Sequence, residues 1–337
     1  MRLPDTLAEL TRADQRESIH AGSAVIATAD GDILALVGDL AEPVFPRSAI
    51  KIIQALPLVE TGAADHYDLS DAELALACAS HSGAPVHVAT AARMLAHARL
   101  DASALTCGSQ LPLGTAEQHD LLRAGSTSTP LHHNCSGKHA AMLLTACRLA
   151  EPIEHYELAH HSVQQRIRTT LEEVVGVDLK GTIPAIDGCS VPNWPLPLDR
   201  LAIAYARIVA GQGLSPGRNA AFERLLAACW SEPIAMAGRG RCDTRILGRF
   251  AGDVFIKSGA EGVCCGGIRS KRIGFAVKVA DGAKRAAETA VGAILARFLD
   301  EASDLGEAVS LYNTAGIAVG DVRPGAALMS VLASVRY

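Results

Sequence analysis

Strand-like runs lie only toward the two ends of this chain, and roughly 200 residues of helical pattern separate them. Near the start, residues 23–29 and 33–38 are apolar runs on either side of Asp30-Gly31, a dipeptide that favours a tight hairpin turn. Near the end, residues 253–257, 262–268 and 272–279 read as three strands, and a helix is predicted over 283–299. Between them, Ala and Leu recur at helical spacing over 48–59, 71–79, 85–99, 138–150, 154–175, 200–211, 217–229 and 243–250. Ser70-Asp71-Ala72-Glu73 opens one of these segments with a capping-box pattern. The simplest packing is one antiparallel sheet of about five strands, with the hairpin beside the C-terminal strands and the last helix on one face. The expected fold class is therefore α+β. One domain of two lobes is expected: a sheet lobe from 20–47 and 251–337, and a helical lobe from 48–250.

Composition removes several classes of function. Of the 337 residues, 49% are hydrophobic, enough to bury a large core. A formal net charge of −5 and 4% aromatic content leave neither the basic stripe nor the stacking platforms that nucleic acid needs. No apolar run reaches the length of a membrane span. The start, Met1-Arg2-Leu3-Pro4-Asp5, has no apolar signal segment, so a cytoplasmic location is expected. The nine cysteines are then expected to be reduced. Cys78, Cys147 and Cys229 sit among small apolar residues and read as core. Cys264 and Cys265 are adjacent in a strand, so they point to opposite faces and form no chelating pair.

The chemistry concentrates at Pro46-Arg47-Ser48-Ala49-Ile50-Lys51. Pro46 breaks the preceding strand pattern, so Ser48 is expected in the first turn of a buried helix, with Lys51 on the same face. Serine is a poor nucleophile until a base takes its proton. Ile50, Ile52 and Ile53 surround Lys51 with apolar neighbours, and a lysine held there tends to lose its proton and become a base.

A second fragment, Lys257-Ser258-Gly259, lies at the end of a predicted strand. A Ser-x-x-Lys at a helix start with a Lys-Ser-Gly on a later strand resembles the serine β-lactamase and penicillin-binding superfamily, which has a glutaminase branch. Ala79-Ser80-His81-Ser82-Gly83 is the candidate for its intermediate serine loop. A narrower resemblance rests on five motifs in order: Arg47 to Lys51; Cys78 to Gly83; His133-Asn134-Cys135-Ser136-Gly137-Lys138-His139; Asp187-Gly188-Cys189-Ser190-Val191-Pro192; and Lys257 to Gly262. Together they resemble the asparaginase II family of the Rhizobium etli type, over about residues 15–335.

The resemblance implies a fold like that of the serine β-lactamases and glutaminases, a homodimer, and hydrolysis of L-asparagine to L-aspartate and ammonia. It implies two serine–lysine pairs, Ser48 with Lys51 and Ser80 with Lys257. It also implies a metal site of Cys135, Lys138 and Cys189 with Asp187 nearby, and the two thiolates suit Zn2+. Cys242 sits near where this family can carry a cysteine close to the site.

From the side chains, amide hydrolysis needs a nucleophile, a base, an oxyanion site and an acid for the departing ammonia. Ser48 is the favoured nucleophile, with Lys51 as base and Ser80 as proton relay from Lys257. The reverse assignment, with Ser80 attacking, stays open. Arg47 either holds the substrate carboxylate through a bidentate fork or closes the helix start. Glu261 or Asp187 would meet the α-ammonium. The runner-up readings are a glutaminase, a β-lactam-type acyl-serine hydrolase, or a catalytically silent binding protein of the same fold.

Overall fold

The computed structural model describes residues 5–13 and 15–336. The chain separates into two compact units. One comprises the described residues up to 49, with 196–210 and 258 onward; the other comprises 50–195 and 211–257.

The first unit is built on an antiparallel sheet. β1 (Thr6–Arg12), β2 (Gln15–Thr28) and β3 (Ile33–Val37) come first. The two-residue strands β4 (Ala185–Ile186) and β5 (Pro192–Asn193) form a small hairpin in the second unit. β6 (Val254–Ser258) spans the boundary in sequence between the second unit, which ends at 257, and the last segment of the first, which begins at 258. β7 (Val263–Ile268), β8 (Ile273–Val279), β9 (Val309–Tyr312) and β10 (Ala318–Pro324) complete the set. Within the first unit the order is β7-β8-β2-β1-β10-β9, with β3 added on β2. β2 is long because it serves several partners. Its first half pairs β1, and its second half lies between β3 and β8, with Val25 opposite both Leu36 and Ala276.

The hairpin of β2 and β3 turns through Asp30-Gly31, as the sequence indicates. The sheet is nonetheless larger than the expected five strands, because β1, β9 and β10 extend it. Every residue of β7 is buried, and so is all of β8 except Lys278, so both faces of these strands are covered. The helices Leu198–Ala210 and Lys284–Phe298 pack on them. Gly274 makes the first contact possible: a Cβ there would stand 2.1 Å from Ala202 O and 2.3 Å from Ala206 N. Helix and strand thus touch backbone to backbone.

The second unit is helical. Asp71–Ala77 lies at its centre, against Pro85–His97, Ser136–Arg148 and Pro216–Ser231. Its start is capped as expected: the Glu73 carboxylate accepts the Ser70 N–H at 2.9 Å and the Ser70 hydroxyl at 2.7 Å. The single helix expected over 48–59 is broken. Arg47–Ile50 is a 3-10 turn, followed by the short helices Lys51–Gln54 and Leu56–Glu60. Pro57 lacks the N–H that would carry the helix through. The segment expected over 154–175 is helical only at Ser162–Val175, where His161 Nδ1 accepts the Val163 N–H. Among the described residues, no helix is long and apolar enough to cross a membrane. All nine cysteines are free of disulfides.

Candidate active site

Three expected residues meet at one atom. Ser80 lies in the loop after Asp71–Ala77, and its N–H is held by Met236 O at 3.2 Å. Lys51 Nζ and Lys257 Nζ each lie 3.0 Å from Ser80 Oγ. Both lysines have no exposed surface, and Ser80 is 6% exposed. Lys51 opens the helix Lys51–Gln54, and Lys257 comes from β6. The sequence reading paired Lys51 with Ser48; the geometry adds Ser80 as a Lys51 partner.

Lys51 Nζ also reaches two backbone carbonyls, Ala79 O at 2.5 Å and Asn134 O at 3.4 Å. Carbonyls accept only, so a neutral amine aims its two N–H groups at them and leaves its lone pair for the Ser80 hydroxyl. Burial pushes the Lys51 amine below its ordinary range, and the nearby Lys138 ammonium adds to this against the opposing pull of Cys135 and Cys189. The amines of Lys51 and Lys257 are at most about 6 Å apart, a separation at which like charges disfavour double protonation.

The second group of expected residues also converges. Lys138 Nζ donates to Cys189 Sγ at 3.0 Å, and Cys189 Sγ is 3.5 Å from Asp187 Oδ2. Cys135 is buried and hydrogen-bonded to Cys189. That bond, with Lys51, Lys138 and His133 close by, holds the Cys135 thiol well below its ordinary range despite burial. The same bond, together with burial, pushes Cys189 up. Burial opposes charge on Lys138, but Cys189, Cys135 and Asp187 overcome it and hold the ammonium protonated. Among the described residues, no three His, Cys, Asp or Glu converge as metal ligands. This set differs in offering an amine beside two sulfurs, and those donors suit zinc once Lys138 gives up its proton.

Cys242 is buried at the start of the helix Cys242–Arg249 in the second unit, and Ser48, Arg47 and Glu261 belong to the first. Ser48 is half-buried in the Arg47–Ile50 turn, not inside a regular helix. Arg47 is half-buried and adopts a left-handed φ of 51°. Gly259 brings the Lys-Ser-Gly segment against this turn: a Cβ there would stand 2.9 Å from Pro46 O and 3.1 Å from Ala49 N. Tyr205 OH donates to Ala49 O from the helix Leu198–Ala210. Glu261 is exposed, and its carbonyl accepts from Lys278 Nζ at 2.7 Å.

Sequence reasoning missed the groups that hold Ser80 in place. His81 Nε2 contacts Ser136 Oγ at 2.9 Å, and Asn134 O accepts from both Lys51 Nζ and the His81 N–H. The one available signal was their presence in the Ser80 and Cys135 motifs.

The site thus sets a serine hydroxyl within 3.0 Å of two buried lysine amines, in an α+β protein. The chain belongs to the L-asparaginase II family, which it matches over residues 8–324, and is therefore a hydrolase of asparaginase type acting on amides. No curated protein matches it. A solved structure from Bacteroides dorei DSM 17855, of a protein provisionally assigned as a beta-lactamase, aligns over 77% of this chain and 84% of its own, at 12% identity and a TM-score of 0.39. At that score the likeness carries no argument.

Proposed function

We propose that this chain hydrolyses L-asparagine to L-aspartate and ammonia by serine–lysine chemistry. The observation that carries the reading is Ser80 Oγ at 3.0 Å from both buried amines. The three-residue spacing of Ser48 and Lys51 supports Ser48 as nucleophile; the geometry supports Ser80 as the relay between the lysines.

Neutral Lys51 accepts the Ser48 proton, directly or by way of Ser80 Oγ at 3.0 Å, as Ser48 Oγ bonds to the side-chain amide carbon. The tetrahedral adduct collapses, its C–N bond breaks, and the departing nitrogen takes a proton passed from Lys257 through Ser80. This leaves an acyl ester and ammonia. Water then adds to the ester as Lys257, now neutral, accepts its proton, and the Lys51 ammonium returns its proton to the departing serine oxygen. The C–O bond breaks, and aspartate leaves with the serine restored. Arg47 is assigned to the α-carboxylate, and Asp187 or Glu261 to the α-ammonium.

Cys135, Cys189 and Lys138 would hold zinc, and when bound the ion would supply fixed positive charge near the site. We also propose a homodimer, on the family resemblance, and a cytoplasmic location.

The test is ammonia release by purified protein from Asn, Gln and β-aspartyl peptides, repeated with Ser48→Ala and Ser80→Ala. Release from Asn above Gln supports the substrate assignment. Loss of release in Ser48→Ala supports that nucleophile, whereas retention of more than about a tenth of the activity, against typical losses of 10²–10⁴ for such groups, moves the attack to Ser80. A wild-type chain inert on all three substrates refutes the reading.

A further inference from the structure

Next to Ser80 the fold buries a histidine that this chemistry does not use. His81 has no exposed surface. Its Nδ1 accepts the Gly83 N–H at 3.1 Å, and its Nε2 lies 2.9 Å from Ser136 Oγ. Ser136 donates its only proton to Leu131 O at 3.0 Å, so the hydroxyl accepts from the imidazole. This fixes the neutral Nε2–H tautomer with both nitrogens satisfied. Protonation would set a second N–H against that of Gly83. Burial, the His87 ring stacked at 4.8 Å and the nearby Lys51 all hold the imidazole well below its ordinary range. His81 is thus no proton shuttle.

Its contacts are mechanical. The imidazole ties the loop of residues 79–83 to the segment 131–136. That segment supplies Asn134 O, which accepts from the His81 N–H at 3.3 Å and from Lys51 Nζ at 3.4 Å. Lys51 returns to Ser80 Oγ. The closed circuit runs Ser80, His81, Ser136, Asn134, Lys51 and back. Gly83 is held from outside as well, since a Cβ on it would stand 2.9 Å from Pro112 Cα.

We propose that His81 is a positioning residue: through Ser136 it holds Ser80 Oγ within hydrogen-bond reach of both Lys51 and Lys257. The proposal rests on the reading of Ser80 as part of the reacting set. Misplacing a reacting group by about 1 Å costs on the order of 10²-fold in rate, so a lost brace should appear in kcat more than in KM.

The experiment compares wild type with His81→Asn, His81→Gln, Ser136→Ala and the double variant His81→Asn/Ser136→Ala. Folding is checked by circular dichroism. Two rates are measured: turnover of L-asparagine, and the acylation burst with p-nitrophenyl acetate, an activated ester that reports serine reactivity whatever the natural amide. The expected result is a fall of about 10- to 100-fold in kcat and burst rate for His81→Asn, with KM within about threefold. Ser136→Ala should fall in the same direction. The double variant should be no worse than the more damaged single, because both cut one link. His81→Gln, whose amide can still donate to Ser136, should recover part of the loss.

Folded variants with kcat and burst rate within about twofold of wild type, or losses that multiply in the double variant, overturn the proposal. If the His81 variants do not fold, Ser136→Ala decides it, together with the nitrogen shifts of His81 in wild type. A proton on Nδ1 there is equally fatal. A wild-type chain that shows the ester burst but no ammonia release refutes the asparagine reading alone and leaves this one to the burst.

Discussion

Lys51 is the residue on which the proposed chemistry turns. Burial disfavours its ammonium form, so the lone pair becomes available at lower pH than for a free lysine at about 10.4. The base works unprotonated. Activity should therefore fall as pH drops through the Lys51 pKa, with the acid limb of kcat/KM centred below about 10.4. Lys51→Arg cannot lose its proton and should drop kcat by about 100-fold or more. A flat profile between pH 6 and 10 (roughly the span over which a lowered lysine titrates), or an active arginine variant, would contradict the assignment. The burial of Lys51 was legible, because Ile50, Ile52 and Ile53 flank it and all are buried. Its partners were not. Ala79 O and Asn134 O are backbone carbonyls, which every residue carries, and no side chain advertises them. The convergence of Cys135, Lys138 and Cys189 was equally hidden from local spacing; the resemblance alone grouped them, since 51 residues separate Lys138 from Cys189.

At the scale of elements, legibility followed burial. β7 and β8 carry continuous apolar runs, and the sequence places them to within a residue or so, whereas of β2 it finds only the buried second half from residue 23 and misses the more exposed 15–22. β9 is largely exposed, with Val309 at 59% and Tyr312 at 66%, and β10 is mostly half-buried with Val322 its one buried residue, so no core face imposes a readable period. Helix Leu198–Ala210 was legible as a helix but not as a partner of the sheet. What determines that placement is an absence of side chains at Gly274, which periodicity does not register. Gly274→Ala would drive a methyl into the backbone at Ala202 and Ala206, so the helix must shift. The expected cost is about 1–3 kcal/mol of overpacking, read as a lower denaturant midpoint at unchanged slope. The same helix carries Tyr205, which holds Ala49 beside Ser48. Activity of the folded variant should therefore fall with stability. A variant as stable and active as wild type would mean that the helix does not sit where this packing puts it.

For the whole molecule, the division into two units places Cys135, Lys138 and Cys189 in one of them, together with Lys51, Ser80 and Lys257. A metal held there binds the folded unit and not the unfolded chain. It should stabilise by mass action, about 2.7 kcal/mol at a free concentration 100 times Kd. Elemental analysis should find zinc in the wild type and less in Cys135→Ala and Cys189→Ala. Metal uptake should release protons, because Lys138 and Cys189, both pushed up, must give theirs up. Chelation should lower the thermal midpoint and raise amide exchange around residues 133–138 and 187–191 more than in the strands β7 and β8. Two units need not unfold together, so exchange by segment is the sharper measurement, and one global midpoint is not enough. If chelator leaves both the midpoint and those segments unchanged, and neither cysteine variant alters metal content, the ammonium of Lys138 is itself the structural cation. The cluster is then complete as an ion-paired core with no metal at all.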